Sequence, residues 1–241
     1  MRAVLAMTAA VMSLCLTAGA VQADAPLVSE WRLDEVSGTT TTDSVTGASG
    51  TLSGAAAFGP GVFDGGLVFG GGTVSAPLAV DTSGSFTVSV WVNLDSKCAV
   101  TKCKFAAVSA DGERSSRFSL GYLKDRNHLG NWYFELAEAD TDAAPITATA
   151  TTTFPVETGV WTNVVGVYDA DSGTSYVYDS GSLGAYGTIN TRWNGTGDLT
   201  LGALQKAGVK TGFFPGSADE VRFYDRTLTH DEVFALYHPA S

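Results

Sequence analysis

Asp219 has the most chemistry to explain, because it is a carboxylate in a segment that otherwise reads as a buried strand. The segment runs Gly216-Ser217-Ala218-Asp219-Glu220-Val221-Arg222-Phe223-Tyr224. Side chains alternate between faces along a strand, so the spacing puts Asp219 on one face with Val221 and Phe223. An ionised carboxylate is costly to bury unless it meets a cation or several donors. One candidate partner is calcium, a hard ion that takes several oxygens in irregular geometry. Asp43 and backbone carbonyls of a glycine-rich turn near Gly65-Gly66 are the other oxygens such a site would draw on. The alternative closes Asp219 with backbone N–H groups or with an arginine, Arg222 or Arg226.

The remaining reactive residue types point away from catalysis. Glu135-Leu136-Ala137-Glu138-Ala139-Asp140 is the densest acidic run. A glycoside hydrolase needs two carboxylates projecting into one cleft. Glu135 and Glu138 are three apart, so on a regular strand they face opposite ways. His128 lies in a polar loop, and His230 and His238 lie near the C-terminus, with no Ser-His-Asp arrangement legible. Gly70-Gly71-Gly72 lacks the lysine and following helix of a phosphate loop and reads as a turn. Aromatic rings offer a different function, since sugar C–H faces stack on Trp and Tyr while polar neighbours bond the hydroxyls. Tyr122, Trp132 and Trp193 are the ligand-binding candidates, each beside a polar, loop-rich stretch. Core or edge packing is their alternative reading.

The elements that position these residues are strands. Phe86, Val88, Val90, Val92 and Leu94 fall on one face of a strand over 86–94. A return strand is expected over 104–109, making a hairpin with it. A second hairpin pairs 161–169 with 174–179 through the turn Asp171-Ser172-Gly173. Shorter strands fit 27–33, 67–69, 117–123, 131–136, 146–150 and 198–201. Many short alternating strands without interspersed helices argue a two-sheet sandwich. One helix is signalled by the capping box Thr229-His230-Asp231-Glu232, with Val233, Leu236 and Tyr237 as its apolar stripe and Pro239 as its end.

Several of these segments together resemble the LamG-like jelly-roll domains of the concanavalin A-like lectin/glucanase superfamily. The resemblance is carried by Gly216-Ser217-x-Asp219-Glu220-Val221-Arg222-Phe223-Tyr224-Asp225-Arg226-x-Leu228, with Glu232-Val233 and Leu236-Tyr237 following. Trp31-x-Leu33-Asp34-Glu35 leading to Asp43-Ser44, Ser85–Val92, Gly159–Val165 and Leu199–Gly202 agree in order. The resemblance implies an all-β, two-sheet antiparallel jelly-roll sandwich with one short C-terminal helix, and a structural calcium of the kind such domains often carry. The Glu-x-Asp-x-x-Glu spacing of laminarinase-like relatives is missing, as are the Gln-(Ile/Val)-His and Tyr-x-Lys motifs of lyases with a similar sandwich.

Residues 1–23 read as an export leader: Arg2, an apolar run from Ala3 to Leu16, and a small-residue site at Val21-Gln22-Ala23. Residues 24–241 are then one domain, and no later segment is apolar enough to span a bilayer as a helix. The chain has 14 Lys+Arg against 25 Asp+Glu, a net −11, and loss of the leader removes only Arg2. Such a surface disfavours nucleic acid and anionic membranes and is compatible with calcium and neutral glycans. Cys98 and Cys103, an even pair in an exported chain, read as a disulfide at a hairpin tip. The expected product is a secreted, extracellular, non-catalytic module that recognises a glycan or an extracellular surface. A glycoside hydrolase or polysaccharide lyase of the same fold, and a protein-binding adhesion module, are the competing classes.

Overall fold

The computed structural model describes residues 26–96 and 98–238, without the side chain of Thr147. The expected leader and Pro239 lie outside the described residues. In chain order the first strands are β1 (Ser29–Trp31), β2 (Thr40–Thr42), β3 (Ser49–Ser53), β4 (Ala57–Pro60), β5 (Gly65–Val68), β6 (Thr73–Ala76) and β7 (Phe86–Leu94). There follow β8 (Cys103–Asp111), β9 (Ser116–Lys124), β10 (Leu129–Ala137), β11 (Ile146–Thr151), β12 (Trp161–Asp169) and β13 (Thr174–Asp179). The last are β14 (Ser182–Thr188), β15 (Leu199–Leu201), β16 (Leu204–Lys206), β17 (Val209–Thr211) and β18 (Gly216–Tyr224), before the helix α1 (His230–Tyr237).

Two antiparallel sheets stack as a sandwich. The first has the order β14-β13-β12-β7-β18-β5-β4, with β1 added on β18; the second has β11-β10-β9-β8-β15-β6-β3-β2. Period-two alternation explains the core between them. Phe86, Val88, Val90, Val92 and Leu94 of β7 all point inward, against Phe118, Leu120, Phe134 and Leu136 of β9 and β10. Phe86 packs on Phe118 with ring centroids 5.1 Å apart and edge-on to Phe134 at 6.1 Å. Burying each such ring stabilises the fold by roughly 2–3 kcal/mol.

The strands over 86–94, 161–169 and 174–179 form as expected, and β12 and β13 pair as a hairpin. The expected hairpin between 86–94 and the strand after it does not form. β7 pairs β12 and β18 in the first sheet, whereas β8 pairs β9 and β15 in the second. The Cys98–Cys103 disulfide is present with its Cα atoms 6.3 Å apart. It therefore staples a crossing between the sheets, not a hairpin tip. Stacked sheets lie roughly 10 Å apart, a gap that the connection between β7 and β8 has to bridge.

Helix α1 lies on the outer face of the first sheet. Its capping box is complete: Thr229 Oγ1 accepts from the Glu232 N–H at 3.3 Å, and Glu232 Oε2 accepts from the Thr229 N–H at 2.8 Å. Arg226 holds the same carboxylate at 2.6 Å, drawing its pKa down to about 2. Val233 and Leu236 pack on Val165, Val167, Tyr224 and Leu228, while Tyr237 stacks on Trp91 with centroids 5.8 Å apart.

Candidate functional site

Asp219 is buried, 1 % exposed, but not on the face that simple alternation predicts. Asp219 pairs with Trp91 and Arg222 pairs with Ser89, so three steps along β18 match two along β7. The extra residue is a β-bulge, and Glu220 in it takes a left-handed φ of 51°. The bulge turns the earlier half of the strand over. Ala218, Val221 and Phe223 enter the core, while Asp219 joins Trp91 and Arg222 on the outer face.

The turn from β4 to β5, with the first residues of β5, then covers Asp219. Its Oδ2 accepts from the Val62 N–H at 2.9 Å and the Phe63 N–H at 3.4 Å. The arginines are engaged elsewhere, Arg222 with Glu30 and Glu220, Arg226 with Glu232. Asp219 Oδ1 is buried with no hydrogen-bond partner. Burial pushes the Asp219 pKa up to about 6 against the lowering by those N–H bonds, and the charge of Asp34 raises it further. Gly61 must be glycine here: a Cβ would sit 1.6 Å from the Gly65 carbonyl oxygen and 2.6 Å from Asp219 Oδ2. Two of the non-glycine left-handed residues, Leu33 (φ 61°) and Glu220, immediately adjoin Asp34 and Asp219. Such strain costs about 1–2 kcal/mol per residue and collects at functional sites. A buried carboxylate oxygen without a donor, a second carboxylate whose field reaches it, and closely approaching backbone suit a hard cation such as calcium.

Asp43 is 1 % exposed and differently employed. Its Oδ1 accepts from the N–H groups of Glu30 (3.0 Å), Val45 (2.9 Å) and Thr46 (3.2 Å), closing its own turn. Burial opposes ionisation, but these bonds outweigh it and hold the carboxyl below its ordinary value. Asp43 Oδ2 is buried without a partner. Asp43 and Asp219 share no hydrogen-bond partner among the described residues.

The second sheet carries a feature that local sequence does not show. One polar residue from each of its eight strands lies in a single transverse row on the outer face: Thr40, Thr51, Ser75, Thr200, Ser109, Ser119, Glu135 and Thr149, each directly opposite the next. The hairpin β16–β17 bridges the middle of the row, where the Ala203 carbonyl accepts from Ser109 Oγ at 2.9 Å. Beneath it Asp111 gathers Ser116 Oγ (2.7 Å), Thr200 Oγ1 (2.7 Å) and Lys210 Nζ.

Between that hairpin and residues 141–146 lies an open groove of about 680 Å3. Its floor holds Ser116, Ser119, Lys104 and Glu135, and its walls hold Gln205, Thr211 and Asp142. Lys104 Nζ binds both Glu135 oxygens at 2.5 Å and sits 5.3 Å from the centre of the Tyr133 ring. Tyr133 donates to Ser119 Oγ at 3.0 Å; burial, then the Glu135 charge, push its phenol well above the ordinary value. The groove therefore presents fixed hydroxyl, ammonium and carboxylate groups at the surface of a rigid sheet. Ser119, Lys104, Asp111 and Lys210 were not singled out by sequence; the period-two run Ser109–Asp111 and Ser119–Gly121 on one face was the available signal.

The aromatic candidates sit elsewhere. Tyr122 and Trp132 are core residues, at most 1 % exposed. Tyr122 stacks on Phe105 at 5.9 Å and Trp132 on Phe214 at 6.3 Å, so neither offers a face to a ligand in this conformation. Trp193 is half-buried, donates from Nε1 to the Ala137 carbonyl at 2.8 Å, and lies 5.8 Å from the guanidinium of the fully buried Arg117. The three do not converge on one site.

A family model described as the concanavalin A-like lectin/glucanases superfamily matches residues 69–234. The chain belongs to that superfamily. No curated protein matches it. Among solved structures it is similar to domain 4 of AbnA, a GH43 extracellular arabinanase from Geobacillus stearothermophilus, in complex with arabinotriose. That match has a TM-score of 0.63 at 20% identity and covers 88% of this chain and 98% of that one. It is also similar to Trypanosoma rangeli sialidase in complex with the inhibitor DANA, with a TM-score of 0.60 at 19% identity over 88% of this chain. The botulinum neurotoxin type G receptor binding domain matches with a TM-score of 0.63 at 15% identity, again over 88%. This superfamily chain spans about a third of the sialidase (32%) and about half of the neurotoxin domain (51%). At these identities the likeness establishes the sandwich fold and no more.

Proposed function

We propose that this superfamily member is an exported, non-catalytic module that binds a carbohydrate in the groove over Ser119 and Glu135. The observation that carries the reading is the Lys104–Glu135 pair on the groove floor, 2.5 Å apart. A glycosidase would need that carboxylate, with a second, available for proton transfer or attack. Here Glu135 is held by a lysine, Asp142 on the wall pairs with Arg114, and Asp111 is enclosed by Ser116, Thr200 and Lys210. Fixed hydroxyls and charges suit recognition of sugar hydroxyls. The arabinotriose complex of the AbnA domain supports the ligand class. A calcium ion is proposed at Asp219 Oδ1, with backbone oxygens of residues 61–66 and the nearby Asp34 carboxylate. Any part for Asp43 would rest on its Oδ2 alone. The ion would supply charge that the buried carboxylate lacks and fix the covering loop.

A glycan array probed with and without calcium, beside a reducing-end assay on common polysaccharides, tests the reading. Retention of glycans without release of sugar ends is the expected result; released ends would make the groove an enzyme's.

A further inference from the structure

Five of the 14 bases of this acidic chain, Lys102, Lys104, Lys124, Arg126 and Lys206, border two hollows on its surface. The groove over Glu135 is bordered by Lys102, Lys104 and Lys206. A second, shallower hollow of about 760 Å3 lies between the disulfide loop and the turn from β9 to β10, bordered by Lys102, Lys124, Asp125, Arg126 and Asn127. Lys102 borders both, and the two adjoining hollows are together called the track.

Charge pairing along this track is lopsided. The carboxylates bordering it are already satisfied. Glu135 is held by Lys104, Asp142 by Arg114, and Asp125 by the N–H groups of Asn127 (2.8 Å) and His128 (2.9 Å) and by the His128 ring. Lys124 donates to the Cys98 carbonyl at 2.9 Å. Lys102, Arg126 and Lys206 are exposed and have no carboxylate partner among the described residues. In a chain with 25 acids for 14 bases, three neighbouring bases left unpaired run against the overall charge balance.

We infer that the track binds a carboxylate-bearing anionic polysaccharide, with its carboxylates met by Lys206, Lys102 and Arg126 and sugar hydroxyls met by Gln205 and Thr211 on the groove wall. The inference rests on the carbohydrate reading of the groove and names its substrate class. A polysaccharide fits better than a nucleic acid, because the net charge of −11 repels a denser polyanion.

The test titrates the intact chain, at fixed calcium, with a short oligogalacturonide and with its fully methyl-esterified, uncharged twin. The acid form is expected to bind about tenfold tighter at low salt, with the gap closing near 1 M salt, where the screening length is ~3 Å. Lys102→Glu and Arg126→Glu, with unchanged melting temperatures, should each close most of that gap. Equal binding of both forms, or no effect of charge reversal, overturns the inference while the carbohydrate reading stands. Silence of both, with retention of other neutral glycans on an array, overturns it alone; silence of the array as well removes both. Equal affinity for a single-stranded DNA oligonucleotide would also overturn it.

Discussion

Asp219 lies directly opposite Trp91 across the β7–β18 pairing, and both side chains point away from the core. The same loop roofs the two, since the Phe63 ring meets Trp91 edge-on at 5.8 Å while the Val62 and Phe63 amides bind Asp219.

The raised pKa of Asp219 makes stability depend on pH in a direction unusual for a carboxylate. The folded chain holds this proton up to about pH 6, whereas the ordinary value is 3.8. Between those values the folded state binds more protons than the unfolded one, so this group's contribution falls as pH rises, by about 3 kcal/mol in total. Asp219→Asn should remove that slope. In chelator, urea midpoints should show the variant gaining on the parent between pH 4.5 and 7.5, and calcium at pH 7.5 should reverse the order. Parallel pH profiles for the two proteins would contradict the assignment.

Lys104→Met should leave Glu135 partly buried without its cation. With the lysine about a third exposed, the cost is about 2 kcal/mol rather than the 3–5 of a fully buried pair. Lys104→Met/Glu135→Leu should recover most of it, measured by denaturant unfolding.

The two-residue turn Ala207-Gly208 joins β16 to β17 with φ of 50° and 75°. Gly208 adopts this freely and Ala207 does not. Ala207→Asn should stabilise the chain by about 1 kcal/mol, a rise of roughly 2–4 °C in melting temperature. Because this hairpin bridges the hydroxyl row, amide exchange in β16 and β17 should slow in step.

Removing the cap with Thr229→Ala should cost about 1 kcal/mol. Glu232, drawn down to about 2 by Arg226, contributes stability that is complete above 4.5 and lost as pH falls towards 2. The penalty of Arg226→Ala should therefore shrink on acidification; thermal melts at pH 7 and pH 3 compare the two.

Sequence resolves this fold where apolar residues alternate, as in β7, β12 and the helix stripe of α1. It is silent for β2, β3, β14 and the β16–β17 hairpin, whose Gly, Ser, Thr and Lys residues are the same ones that mark turns. A short Cys–Cys loop after β7 fits a hairpin and a crossing between sheets equally well, and only strand pairing separates them. Asp219 was legible as buried, since a carboxylate amid Ala218, Val221 and Phe223 demands a partner. Its face was not legible, because a bulge leaves no compositional mark when the extra residue is a glutamate. The hydroxyl row was hidden for a related reason: each member is ordinary alone, and only the cross-strand register aligns them.

The extra residue at position 220 acts on β18 as a shift of reading frame. Excising it would transpose every position before it, carrying Ser217 and Asp219 toward the aliphatic interior and ejecting Ala218 from it. A one-codon deletion would thus abolish the proposed ion-holding carboxylate while leaving its codon intact. Descendants of such a chain could lose or regain the proposed ion site without substituting a single one of the residues proposed to hold it.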